Sequence, residues 1–413
     1  MKRTWRVASA SRIEASSIVA ALCVLGACGS GADADPAWGV KLGWTGAMAL
    51  VVDGDDNATV ALDAGDGKTS MIMQLDHAGV RRFTQRLDFG AWGLAAAPEQ
   101  TFVVVGTSSP LDGSVQAVVT RIDGRKQVWT TTLSAEPEGG VESGLLARYV
   151  VVGDKGIFVA GQESRRATDN SVPNPETIER PFLARLDLDG DVLWQHTLGQ
   201  SALYAMGLVR GADGGVVLGA RLNAGSLDVA GEHFEGSDHA TLLIGFADDG
   251  QPSFVREVGE SGDDELASLS RGADGTLYAA GTHTRHDLAI TANGVFVAAT
   301  SSEGELLFRA ELEQGFQMDE PRVAERGGGA GAGAVVVSNY ADEGGGGVVL
   351  AELDDHGDVQ ERRVLEDARF VTAVATRRGG VLLLGGFQEA IDVGTVHLTT
   401  SQPYDSFLVY LPD

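Results

Sequence analysis

Acidic side chains are the groups on this chain best supplied to do chemistry: 58 Asp+Glu stand against 31 Lys+Arg. Two short acidic runs suggest a cation loop, Asp187-Leu-Asp-Gly-Asp191 and Asp53-Gly-Asp-Asp-Asn57. An EF-hand loop needs Gly at its sixth place and a chelating Glu at its twelfth. Counted from Asp187, those places hold Val192 and Leu198. Both runs read more simply as tight turns. No cofactor is therefore expected, and calcium is the one ion these turns could hold. His283 and His286 fall in Thr-His-Thr-Arg-His, but strand alternation sends residues three apart to opposite faces, so surface histidines are the simpler reading. His233, Asp238 and His239 form a similar weak cluster. There is no Gly-x-Ser-x-Gly for a nucleophile elbow and no His-Glu-x-x-His for zinc. Gly327 to Gly333 is glycine-rich but lacks the Lys-Ser/Thr of a phosphate loop and sits between strands. It reads as a hairpin loop.

Cys28 has a different chemistry. It ends Leu25-Gly26-Ala27-Cys28, after an apolar stretch from Ile18 to Ala27 and a basic start at Lys2, Arg3, Arg6 and Arg12. A spanning helix needs about 20 apolar residues, and Glu14, Ser16 and Ser17 interrupt this stretch upstream. The layout resembles the signal of bacterial lipoproteins. That resemblance implies cleavage before Cys28, acylation of its thiol and new amino group, and stable anchoring by several chains. Gly29 after the cysteine, where inner-membrane retention would have Asp, implies the outer membrane. The expected division is a signal over 1–27, a lipidated flexible tether over 28–37 and one folded domain over 38–413.

Four basic residues and one acid lie in 1–27, which leaves 27 Lys+Arg against 57 Asp+Glu on the mature chain. That balance disfavours nucleic acid and anionic membrane surfaces, because each phosphate contact wants a Lys or Arg. Both cysteines, Cys23 and Cys28, lie outside the domain, so thiol catalysis, cysteine–zinc sites and disulfides are excluded from it. Stability must come from core burial. The 56 glycines mostly punctuate short apolar runs, as turns do in an all-β protein.

Self-similarity shows the architecture. Arg210-Gly-Ala-Asp-Gly-Gly-Val-Val-Leu-Gly219 returns as Arg271-Gly-Ala-Asp-Gly-Thr-Leu-Tyr-Ala-Ala-Gly281. Each copy is followed by an apolar strand, an acidic-Gly turn and an outer strand, most clearly in Phe182-Leu-Ala-Arg-Leu-Asp-Leu-Asp-Gly-Asp-Val-Leu-Trp194. The turn glycines recur at Gly79, Gly124, Gly190, Gly250, Gly304 and Gly357, every 45 to 66 residues. Four antiparallel strands per unit, A to D, make propeller blades. Six units run from about 46 to 366, and a seventh stops after its third strand, Ser406 to Leu411. Its missing outer strand is Trp38-Gly-Val-Lys-Leu-Gly43, which matches Trp194-Gln-His-Thr-Leu-Gly199. The fold expected is an all-β, seven-bladed β-propeller closed by its N-terminal strand. The pattern resembles the seven-bladed propeller (SBBP-like) repeat family of exported bacterial proteins, best over 182–312 and 377–411 and poorly over 46–90 and 313–348. Outer-strand Trp occurs only at Trp38, Trp129 and Trp194, too few for the docking girdle of quinoprotein propellers.

Strand order puts the A–B and C–D turns on one face, and the longer B–C and D–A connections on the other. Variable loops on a rigid scaffold concentrate function. The D–A connections carry Glu136, Glu138 and Glu142; Glu260, Asp263, Asp264 and Glu265; Asp319 and Glu320; and Glu366 and Asp367. Their convergence would make an acidic rim for a cation or a basic partner segment. The expected function is a non-enzymatic binding or assembly scaffold anchored in the envelope, its partner an envelope protein or glycan. The alternative is an enzyme acting on polysaccharide or peptidoglycan through paired carboxylates at the channel mouth. Aromatics at 6% lean against sugar stacking.

Overall fold

A computed structural model describes residues 36–412 apart from short connecting segments, the longest being 110–114, 137–140, 168–176, 260–263, 286–291, 313–316 and 327–332. Residues 1–27 and Cys28 lie outside the described residues. So does the glycine-rich run at 327–332, though the strands on either side pair directly, Glu325 with Ala334.

Seven four-stranded antiparallel sheets follow one another along the chain. In order A to D, blade 1 is Gly46–Val52, Ala58–Asp63, Ser70–Leu75 and Arg81–Leu87, and blade 2 is Gly90–Ala97, Thr101–Ser108, Gln116–Asp123 and Lys126–Leu133. Blade 3 is Val141–Gly153, Gly156–Ala167, Thr177–Leu186 and Val192–Thr197. Blade 4 is Leu203–Arg210, Val216–Leu222, Ala240–Phe246 and Pro252–Glu257, and blade 5 is Asp264–Arg271, Leu277–Arg285, Ala292–Thr300 and Leu306–Leu312. Blade 6 is Gln317–Glu325, Ala334–Asp342, Gly345–Leu353 and Val359–Leu365. Blade 7 takes Phe370–Arg377, Gly380–Phe387 and Asp405–Pro412 from the C-terminus, and its fourth strand, Trp38–Lys41, from the N-terminus. Trp38 lies opposite Tyr410 and Lys41 opposite Phe407. The described residues of the poorly matching stretches 46–90 and 313–348 thus include ordinary blade strands.

The innermost strand of every blade touches that of the next, and the last touches the first, so the ring is closed. Seven apolar cores result, each shared by two adjacent blades. Strand B of blade 2 shows how: Phe102 and Val104 pack toward blade 1, while Val103 and Val105 pack toward blade 3. A strand buried on both faces reads as an unbroken apolar run, which is what Thr101–Ser108 is.

All six turn glycines have positive φ, between 54° and 93°, the left-handed region that favours Gly. Five of them also seat an aromatic ring of the preceding blade's outer strand. A Cβ on Gly79 would lie 2.6 Å from Trp38, on Gly190 2.7 Å from Trp129, on Gly250 3.1 Å from Trp194, on Gly304 3.0 Å from Phe254 and on Gly357 2.6 Å from Phe308. The three indoles also donate Nε1–H to a turn carbonyl, at His77, Leu188 and Asp248, over 3.0–3.1 Å. Counting tryptophans alone missed the two phenylalanines that fill the same role. Blade 6 has Glu361 at this position, and blade 7, split between the two termini, has no C–D turn to receive a ring.

Candidate functional site

The face of the B–C and D–A connections is the candidate surface. Two B–C connections read as loops are in fact extra hairpins: Gly225–Val229 with Glu232–Gly236 in blade 4, and Ala390–Val393 with Val396–Thr399 in blade 7. They share a pattern, Leu227-Asp228-Val229 followed by His233-Phe234, and Ile391-Asp392-Val393 followed by His397-Leu398. Leu227 and Ile391 are buried, and anchor the hairpins to the interblade cores. His233 Nδ1 meets Asp228 Oδ1 at 2.7 Å, and His397 Nδ1 meets Asp392 Oδ1 at 2.6 Å. The blade-4 hairpin leaves a cleft of about 550 Å³ against the end of blade 3's outer strand. Its floor holds Leu203, Leu227, Ile244 and Phe246, and its rim His196, Asp228, Glu232 and His233. Where blade 7 has Val396 against the backbone of Gly39, blade 4 has Glu232, which pairs with Arg256 at 3.2 Å.

The acidic rim is only partly assembled. Glu136 and Glu142 are exposed, the latter opposite Arg166. Glu320 is exposed at φ +46° and lies 3.5 Å from Arg322. Asp319 takes a strand position opposite Asn339. Glu138, Glu260, Asp263, Glu366 and Asp367 lie outside the described residues.

Asp264 is not a rim residue. It is fully buried, at 0% exposure. Its Oδ1 accepts from His283 Nδ1 at 2.5 Å and its Oδ2 from Arg309 Nη2 at 2.8 Å, while its carbonyl accepts from Thr241 Oγ1 at 2.9 Å. Arg309 also reaches Glu311 at 3.2 Å and lies over the Phe296 ring. A buried carboxylate persists only when paired and hydrogen-bonded, and this one is bonded on both oxygens. Its charge, together with burial, pushes the Glu257 carboxyl above its ordinary range, burial being the larger cause. The neighbouring rim residue Glu265 is ion-paired with Arg221 of blade 4, whose guanidinium lies over Tyr204. In blade 3 the buried Glu163 holds Arg165 at 2.7 Å and Arg180 at 3.0 Å. Gln162 then bridges to blade 4, donating to the Leu203 carbonyl at 3.0 Å. Sequence reasoning placed His283 on the surface. Its signal was cross-strand register, since Asp264 and His283 are direct partners.

Both suspected calcium turns use their carboxylates on backbone N–H groups. Asp187 Oδ1 accepts from Asp189 N and Asp191 N at 2.9 Å. Asp53 Oδ1 accepts from Asp55 N and Asn57 N at 2.9–3.0 Å. These are Asx turns, whose N–H donors point where a cation would sit. Among the described residues, one group of three side chains is close enough to share an ion, Asp354, Asp355 and His356, on the opposite face. The Asp358 and His356 amides hold the Asp354 carboxyl below its usual range.

No family model and no curated protein matches the chain. Solved structures do. The polysaccharide lyase Uly1 is 10% identical with a TM-score of 0.48, covering 94% of each chain. The β-propeller domain of the Trilobed protease from Pyrococcus furiosus is 10% identical with a TM-score of 0.48, covering 89% of this chain and 93% of its own. An acylaminoacyl peptidase from Pyrococcus horikoshii is 9% identical with a TM-score of 0.49, and the match spans 87% of this chain and 53% of the peptidase. The likeness is one of architecture, and the blade count rests on the chain's own strand pairing.

Proposed function

We propose that the protein is an exported, lipid-anchored propeller that works as a non-enzymatic binding scaffold at the cell envelope. The observation that carries this reading is the state of the charges on the face of the B–C and D–A connections. The buried carboxylates of Glu163 and Asp264, and that of Glu265, are tied to cations of the same or the adjacent blade. Such paired groups brace a surface. The leader ending at Cys28 supports export and anchoring, and the blade-4 cleft offers a concave site on a rigid frame. Affinity capture from detergent-solubilised envelopes tests the proposal, with wild-type protein and Cys28→Ser as baits. A stoichiometric envelope protein recovered with the lipidated form supports it. Recovery of no protein from either bait refutes it.

A second reading, an enzyme acting on polysaccharide or peptidoglycan, is favoured by one feature. Asp264 orients His283 through Nδ1, beside a Glu257 carboxyl that burial and Asp264 keep protonated to higher pH. Such a pair can move protons. Release of soluble fragments from purified peptidoglycan by wild type, and not by His283→Ala, would establish it.

A further inference from the structure

The outer strands of blades 6, 7 and 1 differ in charge from the rest of this anionic molecule. Arg81–Leu87, Trp38–Lys41 and Val359–Leu365 carry six basic residues, Lys41, Arg81, Arg82, Arg86, Arg362 and Arg363, against one acid, Glu361. That acid is already held by Arg363 at 2.7 Å. Arg81, Arg82 and Arg362 are exposed, and have no acidic partner among the described residues. Exposed apolar side chains accompany them: Val80 at 46%, Val359 at 49% and Val364 at 48%. The corresponding strands of blades 3, 4 and 5 carry two basic residues, Arg256 and Arg309, against two acids, Glu257 and Glu311.

The chain enters the fold at the centre of this basic edge. Trp38 begins the outermost strand of blade 7, and nine residues, 29–37, separate it from Cys28. Fully extended, nine residues span at most about 32 Å. A domain of this size has a radius of gyration of about 21 Å and is more than about 50 Å across. An anchor at Cys28 therefore holds the edge of blades 6, 7 and 1 within about 32 Å of the bilayer surface, closer than blades 3 to 5 whenever the ring stands on that edge.

We propose that this edge docks on anionic lipid headgroups, which Arg81, Arg82 and Arg362 bind while the flanking valines reach the interface. The proposal rests on the anchored reading for its geometry, but its charge chemistry belongs to the folded domain alone. Acids on far blades lie beyond the Debye length of about 8 Å at physiological salt, so the acids this edge must outweigh are the flanking ones, Asp76, Asp88, Asp358 and Asp392. Basic residues beside a membrane act within that distance.

The test uses Cys28→Ser protein, which has no acyl chains, and co-sedimentation with two kinds of vesicle: phosphatidylcholine alone, and phosphatidylcholine with phosphatidylglycerol. Binding is expected only to the anionic vesicles at about 25 mM salt, and should fall steeply by about 300 mM. The triple variant Arg81→Glu, Arg82→Glu, Arg362→Glu should lose at least about tenfold in affinity with an unchanged melting curve. Should that variant melt early, Arg81→Gln with Arg82→Gln gives a milder form of the same test. Equal binding to both vesicles, no binding to either, or a folded triple variant that binds like its parent would overturn the proposal. Binding to polyglutamate without binding to vesicles would assign the edge to an acidic protein segment, and overturn it as well. Intact mass of the wild-type protein extracted from membranes reports acylation separately, so failure of the anchor and failure of the edge are distinguishable.

Discussion

Blades 3 to 5 and blades 6, 7 and 1 share one four-stranded plan and both bury paired carboxylates, Glu352 of blade 6 held by Arg326 at 2.7 Å and Asp405 of blade 7 lying 3.8 Å from Lys41, but their outermost strands differ in charge. In blades 3 to 5 charges are turned inward and paired. Glu163 is 1% exposed and Asp264 0%, the first gripped by Arg165 and Arg180, the second by Arg309 and a hydrogen bond to His283, and Arg221 joins blade 4 to Glu265 of blade 5. In blades 6 and 1 arginines stand on the outermost strands facing solvent, and in blade 7 Lys41 does. A propeller blade buries both its faces against neighbours, so its core tolerates charge only in closed networks. Its outer strand is covered only in part, chiefly by the ring it lends to the next blade's turn, and its remaining side chains are free to present charge to a partner.

The largest effect should come from opening a closed network. Asp264→Ala strands Arg309 and His283 without their carboxylate, and is expected to cost about 3–5 kcal/mol in chemical denaturation. A cost under about 1 kcal/mol would mean that the network is solvated, and the contrast between the two regions would collapse. Next come the turn glycines. Gly190→Ala meets both left-handed strain at φ 93° and the Trp129 ring, for a loss of about 3 kcal/mol. Gly124→Ala, at φ 54° with open space around it, should cost only about 1 kcal/mol. Equal losses would show that the ring adds nothing to the turn.

Smaller still is the effect of Glu257. Its carboxyl is raised above the ordinary 4.5 by burial and by Asp264. A raised carboxyl pKa favours the fold below the ordinary value, and that contribution disappears as pH climbs through the folded value. Glu257→Gln should therefore stabilise the protein modestly at neutral pH relative to wild type, an advantage that vanishes in acid. Denaturation midpoints across pH 3 to about 7.5 would show it. The smallest expected change in stability is that of the Arg81, Arg82, Arg362 triple reversal, within about 0.5 kcal/mol, although the same variant should lose vesicle binding.

Much of the frame was legible in the chain. The six turn glycines stood out because a left-handed turn between apolar runs leaves little choice but Gly. Closure by Trp38–Lys41 was legible because an outer strand keeps its aromatic and its apolar spacing wherever it lies in the sequence. The site was less legible. Asp264 opens a strand, where an acid ordinarily meets solvent, and only three-dimensional register sets His283 opposite it and brings Arg309 across. The two B–C hairpins were hidden because each strand is four or five residues long, too short for period-two alternation to stand out. The basic edge was invisible to net charge, since its strands come from both ends of the chain.

Hydrogen exchange of the lipidated protein, inserted in anionic and in neutral nanodiscs, shows directly which edge meets the bilayer. Slower exchange in the anionic discs at 80–86, 38–41 and 359–364, with 192–197 and 306–312 unchanged, is the predicted result. Protection on blades 3 to 5 instead, or identical exchange in the two lipids, would contradict it.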